Sequence, residues 1–81
     1  MKCKVLFFAA AAQVMECREK EITMPIGSSV GEAFDLLASE HNALAALSST
    51  CALALEGQLV QREMQLSDGC TIAILPPVSG G

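Results

Sequence analysis

A helix start at Ser29 is the sequence feature that most constrains how this chain can fold. Glu32 follows Ser29 at the spacing typical of a capping box, in which each side chain pairs with a backbone N–H at the start of a helix. His41-Asn42 marks the predicted end of this helix. Apolar residues recur between these points with helical spacing and predict one buried stripe, formed by Val30, Ala33, Phe34, Leu37 and Ala38.

Segments with strand character lie on both sides of this helix. Turn signals at Glu56-Gly57 and at Ser67-Asp68-Gly69 separate the later strands. The form of the connection at 10–15 is left open, and residues 43–52 are compatible with either a short helix or a loop. The predicted strands are Lys2–Ala9, Cys17–Met24, Ala52–Leu55, Gln58–Gln61 and Cys70–Leu75.

The order of these elements indicates the fold class. A strand pair, a helix and three further strands are typical of an α+β protein in which a mixed sheet packs on one main helix. This arrangement predicts a β-grasp, or ubiquitin-like, roll. We expect residues 1–75 to form the domain and residues 76–81 to form an extended, flexible tail.

Apolar residues on the lysine-bearing face of the first strand predict a surface for a partner. Lys2 and Lys4 must reach water, so Leu6 and Phe8, which share their face, lie on the less buried side of the sheet. Leu75 is in the same situation on the last strand. More than half of the residues, 52%, are apolar, which is more than the core of so small a domain can bury. We therefore predict a partner-binding patch of Phe8, Leu59 and Leu75.

Charge and cysteine spacing exclude several classes of function. Five basic residues face nine acidic ones without forming a basic stripe, so nucleic-acid binding is not expected. No apolar run approaches the roughly 18 residues of a membrane span, and the apolar start is better explained by a strand than by a secretory signal. The four cysteines show no C-x-x-C spacing, which predicts small buried residues in a reducing cytoplasm and no metal site; a disulfide pair stays open but is not indicated by the spacing.

Side chains for conventional catalysis are sparse. His41 is the only histidine, and its place at the predicted helix end favours a surface or capping role. Cys3 and Cys70 have no activating neighbour in the sequence, so both are predicted to pack in the core. No phosphate-binding glycine loop follows a strand, and no bound cofactor is expected.

The carboxyl-terminal residues Pro76, Pro77, Val78, Ser79, Gly80 and Gly81 are the remaining candidates for chemistry. Two prolines stop the last strand and hold its exit extended, and two glycines leave the end without side chains. From Pro77 such a tail extends about 15 Å, at roughly 3.3 Å per residue. It can enter a narrow tunnel and present its carboxylate to a reactive phosphate.

Three segments carry a resemblance to a known family. They are Lys4-Val5-Leu6-Phe7-Phe8-Ala9, the turn Leu66-Ser67-Asp68-Gly69, and the ending Ile74-Leu75-Pro76-Pro77-Val78-Ser79-Gly80-Gly81. Together they resemble the sulfur-carrier proteins that form the small subunit of molybdopterin synthase. The resemblance spans the chain, and its ending is the most specific part.

The resemblance implies a chemistry for Gly81. Proteins of this family carry sulfur as a thiocarboxylate on the last glycine. An E1-like enzyme adenylates that carboxylate with ATP, and a sulfur donor protein then displaces AMP. The large synthase subunit supplies the pocket in which a cyclic pyranopterin phosphate receives sulfur to become the dithiolene of molybdopterin. By this resemblance the chain is a sulfur-donating subunit whose partners supply the catalytic acids and bases.

Other interpretations share the fold. The chain can instead serve thiamin or tRNA thiolation, act as a ubiquitin-like modifier of target lysines, or be an interaction module with an inert terminus. Two positions depart from the family pattern: Ala12-Gln13 stands where an arginine is frequent, and Glu56-Gly57 stands where an asparagine is frequent. Both departures lie outside the tail.

Overall fold

The first strand sets the two faces of the sheet. Strand β1, Lys2–Phe7, alternates exposed or half-buried residues with the fully buried Cys3, Val5 and Phe7. Side chains on a strand point alternately to opposite faces, so this pattern separates a core face from an outer face. The predicted parity is confirmed. Phe8 lies beyond the end of the strand and is 46% exposed.

The computed structural model describes residues 1–77, which form a five-stranded mixed sheet and three helices. The strands lie in the order β2-β1-β5-β3-β4. Val78, Ser79, Gly80 and Gly81 lie outside the described residues, so the predicted tail conformation and domain boundary stay predictions. The elements are β1 Lys2–Phe7, α1 Ala9–Met15, β2 Glu19–Thr23, α2 Val30–Glu40, α3 Asn42–Ala45, β3 Ala52–Leu55, β4 Gln58–Val60 and β5 Thr71–Leu75.

Parallel pairing of β1 with β5 joins the two ends of the chain at the centre of the sheet. Val5 pairs with Ile72 and Phe7 with Ile74, while β2 and β3 add to the two sides as antiparallel neighbours. This is the α+β, β-grasp architecture expected from the element order. Four of the five predicted strands are one or two residues too long at an end.

Helix α1 fills the connection whose form the sequence left open. The run of alanines from Ala9 has high helix propensity, and Ala11 and Met15 are the residues that α1 buries. Phe8 is the residue before its first turn, and Glu16 closes it in a left-handed conformation, with φ of 58°. The first two strands are therefore antiparallel neighbours joined by a helix, and not by a tight turn.

Helix α2 begins as predicted. The Ser29 hydroxyl accepts from the Glu32 N–H at 3.1 Å, and the Glu32 carboxylate accepts from the Ser29 N–H at 2.8 Å. Phe34 and Leu37 from its apolar stripe are among the largest fully buried side chains. They belong to the same core cluster as the inward residues of β1 and β5.

The chain after β4 crosses the start of α2 at very short range. Val30 N–H donates to the Met64 carbonyl at 2.8 Å, and Gly31 N–H donates to the Arg62 carbonyl at 2.9 Å. A Cβ at Gly31 would lie 2.8 Å from the Cβ of Arg62. Glycine is required here because the two backbones approach too closely for a side chain.

We predict that Gly31→Ala destabilises the fold by about 1–3 kcal/mol, since the steric clash outweighs the roughly 1 kcal/mol gain in helix propensity. Urea unfolding measures the difference. Ser39→Ala, on the exposed side of the same helix, is the control and should stay within about 0.5 kcal/mol of the parent. A Gly31→Ala protein as stable as the parent would show that the segment at Arg62 moves aside without loss of stability.

Candidate functional site

The outer face of the sheet carries a continuous apolar row. Register places Leu6 beside Ala73, Ala73 beside Ala54, and Ala54 beside Leu59, across four adjacent strands. Leu6, Ala73 and Ala54 point away from the core, because their strand neighbours point into it. Leu59 shares this face because it pairs with Ala54. With strands roughly 4.8 Å apart, the row is about 14 Å long.

Exposure varies strongly along this row. Leu59 on the edge strand β4 is 72% exposed, and Leu6 and Ala73 are half-buried. Ala54 is buried, yet it does not belong to the core cluster on the other face. The small alanines therefore form a shallow floor, and Leu59 projects at its edge.

A second row lies next to the first, at the end of β5. Ala52 pairs with Leu75, and the parallel register of β1 and β5 brings Phe8 alongside Leu75. The Phe8 N–H donates to the Ile74 carbonyl at 3.3 Å, which fixes Phe8 at the end of the ladder. Phe8 is exposed and Leu75 is half-buried. The structure thus brings the three predicted patch residues, Phe8, Leu59 and Leu75, onto one face of the sheet.

The tail leaves the sheet beside this patch. Strand β5 ends at Leu75, followed by Pro76, which is buried, and Pro77, which is exposed. Because proline has no N–H, neither residue can donate to the ladder, which explains why the strand ends here. The exit lies at the patch formed by Phe8, Leu59 and Leu75, and the tail residues from Val78 onward lie outside the described part of the chain.

Charged groups border the apolar rows on the remaining part of the outer face. Lys4 pairs with Thr71 in register, and its Nζ lies 3.4 Å from a Glu19 carboxylate oxygen. The Glu56 carboxylate accepts from the Thr71 N–H at 2.8 Å. Both members of the ion pair are more than half exposed, so it contributes little to stability and serves mainly as a polar rim.

Burial disfavours the reactive thiolate form of two cysteines, Cys3 and Cys51. Cys3 and Cys70 are each 1% exposed, so both pack in the core as predicted. Burial, with a hydrogen bond from Cys70, raises the pKa of Cys3 to about 11, and burial also raises the pKa of Cys51. Nucleophilic chemistry at neutral pH requires the thiolate, which these environments disfavour.

Other ionisable groups do not assemble into a site. Within residues 1–77 no three His, Cys, Asp or Glu side chains are grouped closely enough to hold a metal ion. His41 ends α2 and is half-buried, in agreement with its predicted place at the helix terminus. Among the described helices none has the length and apolar content to cross a membrane.

Sequence reasoning missed part of this surface. The alanine floor at Ala54 and Ala73 becomes visible only through the register of β3 with β5, which the sequence does not state. Ile26, at 92% exposure, and Met64, at 48%, are further exposed apolar residues that were not anticipated. Of the two departures from the family pattern, Ala12 lies half-buried in α1 and Glu56 begins the turn between β3 and β4.

Comparisons with known proteins agree with the geometry. The sequence model of the ThiS family matches residues 5–81. The chain is 34% identical to the molybdopterin synthase sulfur carrier subunit of Chlamydomonas reinhardtii, and the alignment covers all of both chains.

Solved structures show the same fold. SAMP1 from Haloferax volcanii superposes with a TM-score of 0.89 at 25% identity, with both chains fully covered. A chain from the complex of subunits 1 and 2 of molybdopterin-converting factor from Helicobacter pylori superposes with a TM-score of 0.73 at 28% identity, again with both chains fully covered.

The pKa of Cys3 gives a test of this packing. In the unfolded chain the thiol loses its proton near its ordinary pKa of 9.0, whereas in the folded protein it holds the proton until about pH 11. Deprotonation therefore favours the unfolded state as pH rises through this window, and the free energy of unfolding should fall. Urea unfolding between pH 8 and 11, in reductant, measures this fall.

Cys3→Ala should flatten the decline between pH 9 and 11, whatever its effect at pH 8. Cys17→Ala removes a half-buried thiol outside the core cluster and is the matched control, which should keep the parent's decline. An equally steep decline in Cys3→Ala would mean that other groups cause the alkaline loss.

Proposed function

The chain belongs to the ThiS family, and from this premise we propose that it is the sulfur-carrier subunit of a molybdopterin synthase, working in the cytoplasm. The observation that carries the proposal is the 34% identity, over the full length of both chains, to a relative named for that role. The likeness to a chain from the two-subunit molybdopterin-converting factor complex supports it further.

Gly81 is the proposed reactive group. A carboxylate is a poor electrophile, so the first step joins it to the α-phosphate of ATP, giving an acyl adenylate and releasing pyrophosphate. A persulfide sulfur of the donor protein then attacks the carbonyl carbon, the bond to AMP breaks, and a second thiol cleaves the resulting acyl disulfide to leave a C-terminal thiocarboxylate and a disulfide on the donor. The described residues supply no evident acid or base for these steps, so an E1-like partner supplies them.

The chemical properties of the thiocarboxylate explain how it can deliver sulfur to an acceptor. A thiocarboxylate is largely ionised at neutral pH and is more nucleophilic than a carboxylate, so its sulfur can attack carbon. The proposed acceptor is a cyclic pyranopterin phosphate in a pocket of the large synthase subunit. The attack joins the sulfur to the acceptor as a thioester, water then cleaves the bond between the acyl carbon and the sulfur, and the ordinary carboxylate is ready to be loaded again.

The outer face supports this function through its position. A partner that covers the patch of Phe8, Leu59 and Leu75 receives the tail at the same edge, because β5 ends between these residues and the exit. Apolar contacts surrounded by a polar rim are typical of specific interfaces. We propose that the large subunit and the adenylating enzyme both dock here, in turn.

A protein modifier is the second candidate function. The likeness to SAMP1, a small archaeal modifier protein, favours it, since the two chains superpose over their full lengths. The two functions share an activated terminus but differ in the acceptor, which is a pterin carbon in one and a lysine amine in the other. Covalent conjugates that accumulate in cells only with an intact Gly81 would favour the modifier.

We predict that deletion of Gly81 lowers sulfur transfer about 100-fold or more, because a shortened tail misplaces the reactive carbon by more than a bond length. Product formation with purified large subunit, adenylating enzyme, ATP and sulfur donor measures it. Ser79→Ala is the control, since it keeps the length of the tail and both glycines. Undiminished product from the truncated chain would overturn the role of Gly81.

We also predict that Phe8→Asp and Leu59→Asp each weaken binding to the large subunit about 30-fold or more, as buried apolar anchors do. Leu59→Asp should leave stability within about 0.5 kcal/mol of the parent, because its side chain is largely exposed in the free protein. Calorimetric titration and urea unfolding separate the two effects.

Ser39→Asp adds the same charge to an exposed position on α2, which packs on the opposite face of the sheet, and should bind normally. If both patch variants bound as tightly as this control, the partner would have to dock elsewhere. Loss of folding in Leu59→Asp would place that side chain in the core.

A further inference from the structure

Two buried thiols, Cys3 and Cys70, lie in contact where the first and last strands pair. Cys3 and Cys70 occupy neighbouring strand positions, one step before the register pair of Lys4 with Thr71. The Cys70 thiol donates to the Cys3 sulfur across 3.4 Å, and both side chains are 1% exposed on the core face. Both cysteines are free in this structure.

The backbone around the pair already has the spacing of a disulfide. Neighbouring strands lie about 4.8 Å apart, within the 4.4–6.8 Å that separates the Cα atoms of linked cysteines. The Lys4 N–H donates to the Cys70 carbonyl at 3.0 Å, and the Gly69 N–H donates to the Lys2 carbonyl at 2.8 Å. These bonds hold the strands in place on either side of the thiols, so linkage requires only a side-chain movement of about 1.4 Å.

We propose that Cys3 and Cys70 are an oxidisable dithiol, which a low-molecular-weight disulfide converts into an intramolecular disulfide joining β1 to β5. One protein thiolate attacks the small disulfide, forming a mixed disulfide and releasing one small thiolate. The second protein thiolate attacks the protein sulfur of that mixed disulfide and releases the other. Two protein thiols lose two electrons and two protons, and the small disulfide is reduced to two thiols.

Burial controls when this reaction takes place. The attacking group must be a thiolate and must reach the oxidant, and the oxidant cannot reach either sulfur while both are enclosed in the core. Exchange therefore proceeds when β1 and β5 separate, either in a local opening or before the chain has folded. The disulfide then remains after β1 and β5 have paired again.

The bond would constrain nearly the whole chain. It closes a loop between residues 3 and 70, and cross-links that close long loops restrict the unfolded state most. It also lies at the start of β5, about 17 Å from the tail exit at the strand's other end, at roughly 3.3 Å per residue. The disulfide would form on the core face, opposite the patch of Phe8, Leu59 and Leu75.

Refolding in a redox buffer tests the proposal. The reduced protein is unfolded in urea and refolded with glutathione and glutathione disulfide, and remaining thiols are then alkylated. We expect a product about 2 Da lighter than the reduced chain before alkylation, with two alkylated thiols instead of four and a proteolytic fragment linking residues 3 and 70. Its melting temperature should rise by about 10 °C or more and return on reduction.

Two variants test whether the disulfide joins Cys3 to Cys70. Cys17→Ser with Cys51→Ser keeps both buried thiols, removes only half-buried ones and should form the same link. Cys3→Ser should form no link, and circular dichroism of its reduced form checks that it folds. Full alkylation of Cys3 and Cys70 in the folded double variant after refolding in oxidising buffer, or persistent glutathione adducts there, would overturn the proposal without involving the tail.

Discussion

Parallel pairing of β1 with β5 is the constraint on which the rest of the structure depends. It joins residues more than 60 positions apart, and it puts the buried side chains of Val5 and Ile72 next to each other at the centre of the sheet. Antiparallel strands can be joined by a short turn, but a parallel pair needs a long crossover. Everything between the two strands, including α2, is that crossover, so α2 is required to cover the core face.

The same pairing positions the candidate site. The register that aligns Phe7 with Ile74 on the core face places Phe8 beside Leu75 on the outer side, where the chain leaves the sheet. A register shift of one residue would turn the buried side chains of one strand to the outer face and its outer apolar side chains to the core face. The register of β1 with β5 thus determines both the position of Phe8 beside Leu75 and the place where the chain leaves the sheet. A partner that docks on the patch, as proposed above, would lie next to Pro76, where the chain leaves the sheet.

Local patterns were sufficient to predict the parts of the fold that local physics determines. The capping box at Ser29 and the parity of β1 act within a few residues, and both are confirmed. Helix α1 could not be predicted because a short alanine run is compatible with several conformations, and the adjoining core decides between them through Ala11 and Met15. The neighbours of Leu59 could not be predicted, since they depend on how β3 and β4 align with distant β5.

The apolar composition is explained by the two-sided use of the sheet. One face is covered by α2 and contains the fully buried Val5 and Ile74, whereas the other has alanines at Ala54 and Ala73 where a solvated sheet usually has polar residues. Alanine adds little apolar area, so within residues 1–77 this face exposes a flat floor with two large, exposed apolar side chains at its borders, Phe8 and Leu59. Such a face tolerates water in the free protein, and this suits the proposed function, in which the chain leaves one partner to reach another.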